Sequence, residues 1–226
     1  MNFKKWLLEE KNDLDGRIRR YSRFRLILVL SATFGFFISL FWLWQKTSTV
    51  RVQTYDMAIF SFIERFKTQN LVKFFSFVTN LGDARFVIAG FLILTSILVA
   101  KRRKRAAVAS LLSLVGSGIF VEILKNFFGR QRPFGCLLPD DCLSFPSGHV
   151  TLSFYFYGLL AYLSFRFLPI SLKSFLGLLG FLGMVVILIA FSRLFLGLHY
   201  FSDIIGGFFL GGSWLCVTIL LVDFLY

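Results

Sequence analysis

Apolar residues run in long uninterrupted stretches along this chain, and polar residues gather between the stretches rather than alternating within them. Three windows, Leu26 to Trp44, Ser174 to Ser192 and Ile204 to Val222, contain no charged residue. Each approaches the roughly 20 residues a helix needs to cross hydrocarbon. Three further windows are less clean. Phe86 to Ala100 and Val150 to Phe165 are shorter, and Ala106 to Leu124 contains Glu122, so these require Arg85, His149 or Lys125 to lie at an end near polar headgroups. The pattern predicts an all-α fold, a polytopic bundle of six transmembrane helices.

Two segments fall outside the six windows. Residues 46 to 82 place Asp56, Glu64, Lys67 and Lys73 among Ile59, Phe60, Ile63, Phe66 and Leu71 at helical spacing, which predicts an outer amphipathic segment, a lid, between the first two membrane helices. Residues 1 to 25 mix Trp6, Leu7, Leu8 and Leu14 with basic and acidic residues. Two readings stand for them, an amphipathic helix lying on the membrane surface and a solvated charged tail. Their apolar run is too short, and too soon followed by acids, for a cleavable signal peptide. No internal repeat and no Pro-, Gly- or Ser-rich linker divides the chain, so residues 1 to 226 read as one domain.

Composition agrees with a bilayer setting. Hydrophobic residues make up 57% of the chain and charged residues 16%, with a mean hydropathy of +0.74, which excludes an ordinary soluble domain. The net charge of +13 would suit a nucleic-acid partner, but the basic residues sit in particular loops. Eight lie in residues 1 to 25, five in Lys101 to Arg105, and Arg166 and Lys173 add two, all on one side of a six-crossing chain. That distribution is the signature of cytoplasmic loops, so both termini are expected inside and nucleic acid is rejected as a partner.

The chain has only two histidines, and both lie beside predicted helix boundaries rather than within an apolar core. Pro146, Ser147, Gly148 and His149 directly precede the window from Val150, where Ser147 suits a helix cap and the backbone N–H groups of a helix start suit a phosphate. An ordinary cap explains Ser147 and Gly148 equally well. His199 and Asp203 are spaced i, i+4 and can share one helical face, where a carboxylate fixes the tautomer of an attacking imidazole. Asp203 also suits the first turn of the last helix. Lys125, Arg132 and Arg193 supply fixed positive charge, with the guanidinium groups able to fork onto phosphate oxygens. A basic loop facing headgroups is the plainer reading of such residues, and for Arg130 it is preferred. Glu122, one turn before Lys125, is read as its ion-pair partner. With six crossings, the connections bearing Lys125 to His149 and Arg193 to Asp203 emerge on the same, outer side.

Together these segments resemble the type 2 phosphatidic acid phosphatase superfamily, whose signatures are Lys-x6-Arg-Pro, Pro-Ser-Gly-His and Ser-Arg-x5-His-x3-Asp. They match at Lys125 to Pro133, Pro146 to His149 and Ser192 to Asp203. The resemblance implies that His199 attacks phosphorus to form a phosphohistidine, that Asp203 orients it and that His149 protonates the leaving oxygen. It further implies that Lys125, Arg132, Ser147, Gly148 and Arg193 bind the nonbridging oxygens, with no metal and no cofactor. Expected substrates are membrane lipid phosphates or diphosphates, such as undecaprenyl diphosphate, phosphatidylglycerophosphate, phosphatidic acid or lipid A. Transfer of the phosphoryl group to a second lipid or sugar is the alternative, and a non-enzymatic anion or lipid transporter a second one. The expected setting is the bacterial inner (cytoplasmic) membrane, with the site facing the periplasm. There a disulfide between Cys136 and Cys142 and a pair of free thiols are equally open, and Cys216 is read as membrane core. The sequence leaves the oligomeric state undefined.

Overall fold

The computed structural model describes Ile27 and residues 30–47, 49–133 and 142–225. The expected interfacial segment of residues 1 to 25 lies outside the described residues. In chain order the elements are α1 (30–47), α2 (Val50–Glu64), α3 (Gln69–Thr79), a 3-10 turn (Asn80–Gly82), α4 (Ala84–Ala100), α5 (Lys104–Phe128), α6 (Gly148–Phe167), α7 (Leu172–Phe195) and α8 (Phe201–Leu225). Helix starts fall where a side chain accepts from an otherwise unpaired amide: Thr49 from Val52, Thr68 from Leu71, Asp83 from Arg85 and Ser171 from Ser174. Gly129 ends α5 at φ +64 and Gly197 turns the chain after α7 at φ +74, a left-handed conformation that glycine adopts without steric cost.

Helix α6 forms the axis of the bundle, packed by α4, α5, α7 and α8. No residue from Gly148 to Ser164 is exposed. This explains why α6 is less apolar than a lipid-facing helix: Thr151, Ser153 and Tyr155 point into protein, and the Tyr155 hydroxyl donates to the Ser110 carbonyl while accepting from Thr218. Around it, α5, α7 and residues Phe201–Asp223 are each long and apolar enough to cross a membrane. Side chains such as Leu112, Val115, Ile119, Phe181 and Ile187 are exposed on the outer surface, as lipid contact requires.

Helix α4 alone spans only about 25 Å at 1.5 Å per residue. Together with α3 and the 3-10 turn it makes a pair bent by 42° that also meets the length and hydropathy of a span. Helix α1 leans on α5 and α8 through ring contacts, Trp44 stacked on Phe128 of α5 at 4.9 Å and Phe36 against Phe209 of α8 at 6.2 Å.

Helix α2 departs from the expected amphipathic pattern. Its buried residues are Asp56 and Ile63, while Val50, Tyr55, Met57 and Phe62 are exposed. The inward stripe runs Asp56, Ile59, Ile63, so a carboxylate occupies a position that periodicity assigns to an apolar side chain.

Contact between α6 and α8 is at backbone level. A Cβ on Gly207 would lie 2.9 Å from the Ser147 carbonyl oxygen, and one on Gly211 would lie 2.7 Å from that of Thr151. Gly211→Val is therefore expected to force the two helices apart and lower the thermal midpoint in detergent by roughly 5 °C, the scale of an overpacked core. A melting curve superimposable on wild type would contradict that contact.

Candidate active site

Three separate stretches of chain meet where α5 ends, α6 begins and α7 passes into α8. After Gly129, residues 130–133 pair with residues 142–144: Arg132 N donates to the Cys142 carbonyl at 3.1 Å and Ser144 N to that of Arg130 at 2.7 Å. Cys142 is disulfide-bonded, Cys216 is a free thiol and Cys136 lies outside the described residues. The second of these paired segments passes through a cis Phe145–Pro146 peptide into Ser147, whose backbone N–H donates to the Asp203 carbonyl at 3.1 Å. Helix α6 then starts with Gly148 and His149.

A cavity of about 290 Å³ opens here, lined by Lys125, Arg132, Gly148, His149, Arg193 and His199 with Asp83, Glu122 and apolar residues of α4 to α6. Six of the eight candidate residues thus line one space. Ser147 and Asp203 stand behind it. The Ser147 hydroxyl is buried, makes no capping bond and has no hydrogen-bond partner among the described residues, which argues against its being only a helix cap. Lys125 pairs with Glu122 at 3.2 Å, as the sequence suggests, and Arg193 donates to Thr79 at 3.1 Å.

The His199 ring is 2% exposed, and it does not share a helical face with Asp203. It sits in the loop between α7 and α8, and only Asp203 is helical. Its Nδ1 lies 2.9 Å from the Ser144 carbonyl, which makes that nitrogen the donor, and 3.6 Å from Asp203 Oδ2. The nearer partner is therefore the backbone, and in the neutral ring Nε2 keeps its lone pair free. Asp203 itself accepts from Tyr200 N at 2.8 Å and from Arg130.

Burial is the first cause that holds His199 down to about 4, with Asp203 opposing and Arg193 reinforcing the shift. His149, ahead of the apolar stretch from Val150, is held to about 3 by burial and by facing Arg193 and His199, while Asp83 opposes. Asp83 caps α4 and presents Oδ2 4.0 Å from His149 Nε2. Its own carboxyl is lowered, chiefly by the hydrogen bond from Arg85.

Residues the sequence reading passed over are Asp56, Asp83, Ser144, Ser202 and above all Arg130, which bridges Asp56 and Asp203 instead of facing headgroups. Asp56 left a trace in its place on the inward stripe of α2, and Arg130 in the basic run that was read as a headgroup-facing loop. Among the described residues no group of three or more His, Cys, Asp or Glu side chains is arranged to hold a metal ion.

An apolar helical bundle with paired histidines and three cations around one cavity defines a membrane protein built to handle phosphate. Residues 106–225 match the PAP2 superfamily, and the chain belongs to it. Phosphatidylglycerophosphatase B of Bacillus subtilis strain 168 is 29% identical over 164 residues, 72% of this chain and 81% of that protein. An undecaprenyl-diphosphatase of Sulfolobus acidocaldarius is 27% identical over 126 residues, 53% of this chain and 56% of its own. Among solved structures, the PAP2-type phosphatidylglycerolphosphate phosphatase from Bacillus subtilis superimposes with a TM-score of 0.76 at 27% identity, covering 85% of this chain and 94% of that one. LpxE from Aquifex aeolicus, at 0.54 and 23% identity over 74% and 94%, shares the fold.

Proposed function

We propose that this protein is a lipid phosphatase of a bacterial inner membrane, crossing it six times with both termini in the cytoplasm and the cavity opening outward. The observation that carries the reading is the meeting of His199, His149, Lys125, Arg132 and Arg193 around one cavity, from segments far apart in the chain. His199 Nε2 attacks phosphorus, the bond from phosphorus to the lipid oxygen breaks, and His149 delivers a proton to that oxygen. Water then attacks the phosphohistidine, His149 takes its proton, and inorganic phosphate leaves. Lys125, Arg132, Arg193, the Ser147 hydroxyl and the Gly148 N–H hold the nonbridging oxygens, which suits a reaction governed by alignment and charge stabilisation.

Ala84 at the start of α4 and Gly118 and Val121 on α5 give the cavity a small, apolar side wall. A lipid enters past that wall with its tails still in hydrocarbon. The names of the relatives point to phosphatidylglycerophosphate and undecaprenyl diphosphate as the first substrates to try. Cys142 pairs with Cys136, within the connection between the segments that carry Arg132 and the Ser144 carbonyl.

The deciding experiment measures phosphate release by detergent-purified protein in EDTA from these two lipids, phosphatidic acid and lipid A. Release from at least one supports the reading and ranks the substrates. Silence on all four, with phosphate appearing on an acceptor lipid once one is added, would replace hydrolysis by transfer.

A further inference from the structure

Behind His199, and lining no part of the cavity, lies a second group of charges. Arg130 Nη1 donates to Asp203 Oδ1 at 2.5 Å and to Ser202 Oγ at 2.6 Å, while Nη2 donates to Asp56 Oδ2 at 2.7 Å. Ser202 completes the link by donating to Asp56 through both its hydroxyl, at 2.5 Å, and its backbone N–H, at 3.1 Å. The guanidinium lies 4.4 Å from the centre of the Tyr200 ring. The Asp56 side chain is 3% exposed and that of Asp203 is fully buried, so solvent screens these charges little.

We propose that Asp56 and Arg130 are positioning residues of the active site, which fix Asp203 and set the net negative charge behind His199. The proposal rests on the reading of His199 as phosphoryl acceptor. Arg130 grips Tyr200, Ser202 and Asp203, all within four residues of His199, so it fixes the backbone that carries the nucleophile. It also holds one oxygen of Asp203, and the Tyr200 N–H holds the other, so the carboxylate cannot swing toward His199.

Charge supplies the second half of the argument. Paired with Arg130 alone, Asp203 would be neutralised, and His199 would face Arg132 and Arg193 without a counter-charge. Asp56 adds a second carboxylate against the single guanidinium, which restores one net negative charge. His199 passes from neutral imidazole to a phosphorylated cation, so that charge favours the transition state over the empty site. A buried ion triad is a costly way merely to hold a helix in place, because apolar side chains of similar volume serve as well or better.

The test is Asp56→Asn, which keeps the shape and removes the charge, with Asp56→Glu as the conservative control. In detergent, Asp56→Asn is expected to lower kcat at least tenfold with KM within about threefold, the reach of one charge at a partly buried site. Orthovanadate, which adopts the five-coordinate geometry of the transferring phosphoryl group, should bind at least tenfold more weakly. Inorganic phosphate should stay within about threefold, and Asp56→Glu should recover most of the vanadate affinity.

Wild-type kcat and vanadate affinity in Asp56→Asn would overturn the proposal. So would parallel losses of vanadate affinity, phosphate affinity and thermal midpoint in both variants, the mark of a purely structural role. A wild type that releases no phosphate from any lipid, while keeping the vanadate contrast, would overturn the hydrolytic reading and leave this inference supported.

Discussion

His199→Asn is expected to lose phosphate release by at least roughly 10,000-fold, the scale seen when a nucleophile that works in concert with its neighbours is removed. The asparagine side chain still offers an N–H toward the Ser144 carbonyl, so the loop between α7 and α8 keeps its shape and the loss reports chemistry rather than unfolding. No second side chain is placed to take over, since His149 is the only other histidine and the remaining lining groups near phosphate are cations and carboxylates. Acid-labile, protein-bound phosphate trapped from a radiolabelled substrate should be present in wild type and absent in the variant. Equal release by the two proteins would remove His199 as the acceptor.

The second large effect depends on the leaving group. His149→Ala is expected to slow hydrolysis of a lipid phosphate monoester by roughly 100- to 10,000-fold, the usual contribution of a general acid. With an aryl phosphate, whose leaving oxygen needs little help from a proton, the loss should shrink to about tenfold or less. A uniform loss on both substrates would make His149 a binding residue instead. The pH profile carries the same logic. With His149 held to about 3 in the empty site, the enzyme meets its substrate at neutral pH with that ring unprotonated. The proton therefore comes with the substrate, and a phosphate monoester gives up its second proton near pH 6. For the wild type, kcat/KM should fall about tenfold per unit above roughly pH 6. It should hold level below that until His199, held to about 4, begins to take up a proton and loses nucleophilicity. A rate that climbs from pH 6 to 8 would refute this route for the proton.

Much of this arrangement was legible before any coordinates. Uninterrupted apolar windows marked α1, α7 and α8 because lipid-facing helices exclude charge, and the motif residues announced themselves by spacing. What stayed hidden came from long-range contact. Arg130 reads as a headgroup residue because nothing nearby in sequence pairs with it, and its partners are 73 and 74 positions away. Asp203 was read as the partner of His199 from the i, i+4 spacing, and it lies 3.6 Å away, yet Gly197 turns the chain so that His199 falls outside the helix and a backbone carbonyl comes nearer, a group no side-chain pattern can reveal. The bend between α3 and α4 escaped notice for a similar reason. The apolar stretch there is too short to span, and the compensating helix before it reads as an amphipathic segment. The polar residues of α6 looked like a weak span because sequence cannot tell a central helix from a peripheral one.

The close approach of α6 and α8 has a mechanical consequence. His149 rides on one of these helices and Asp203 on the other, and glycine lets their backbones touch, so the two side chains belong to a single stiff unit. The opposite wall is fastened to it by side chains. Tyr157 holds the Leu81 carbonyl at 3.1 Å and Arg193 holds Thr79, both in the bent connection between α3 and α4. The spacing of His149 and Asp203 is set by backbone contact at glycine rather than by side-chain rotamers, so a headgroup that enters the cavity finds both at fixed positions.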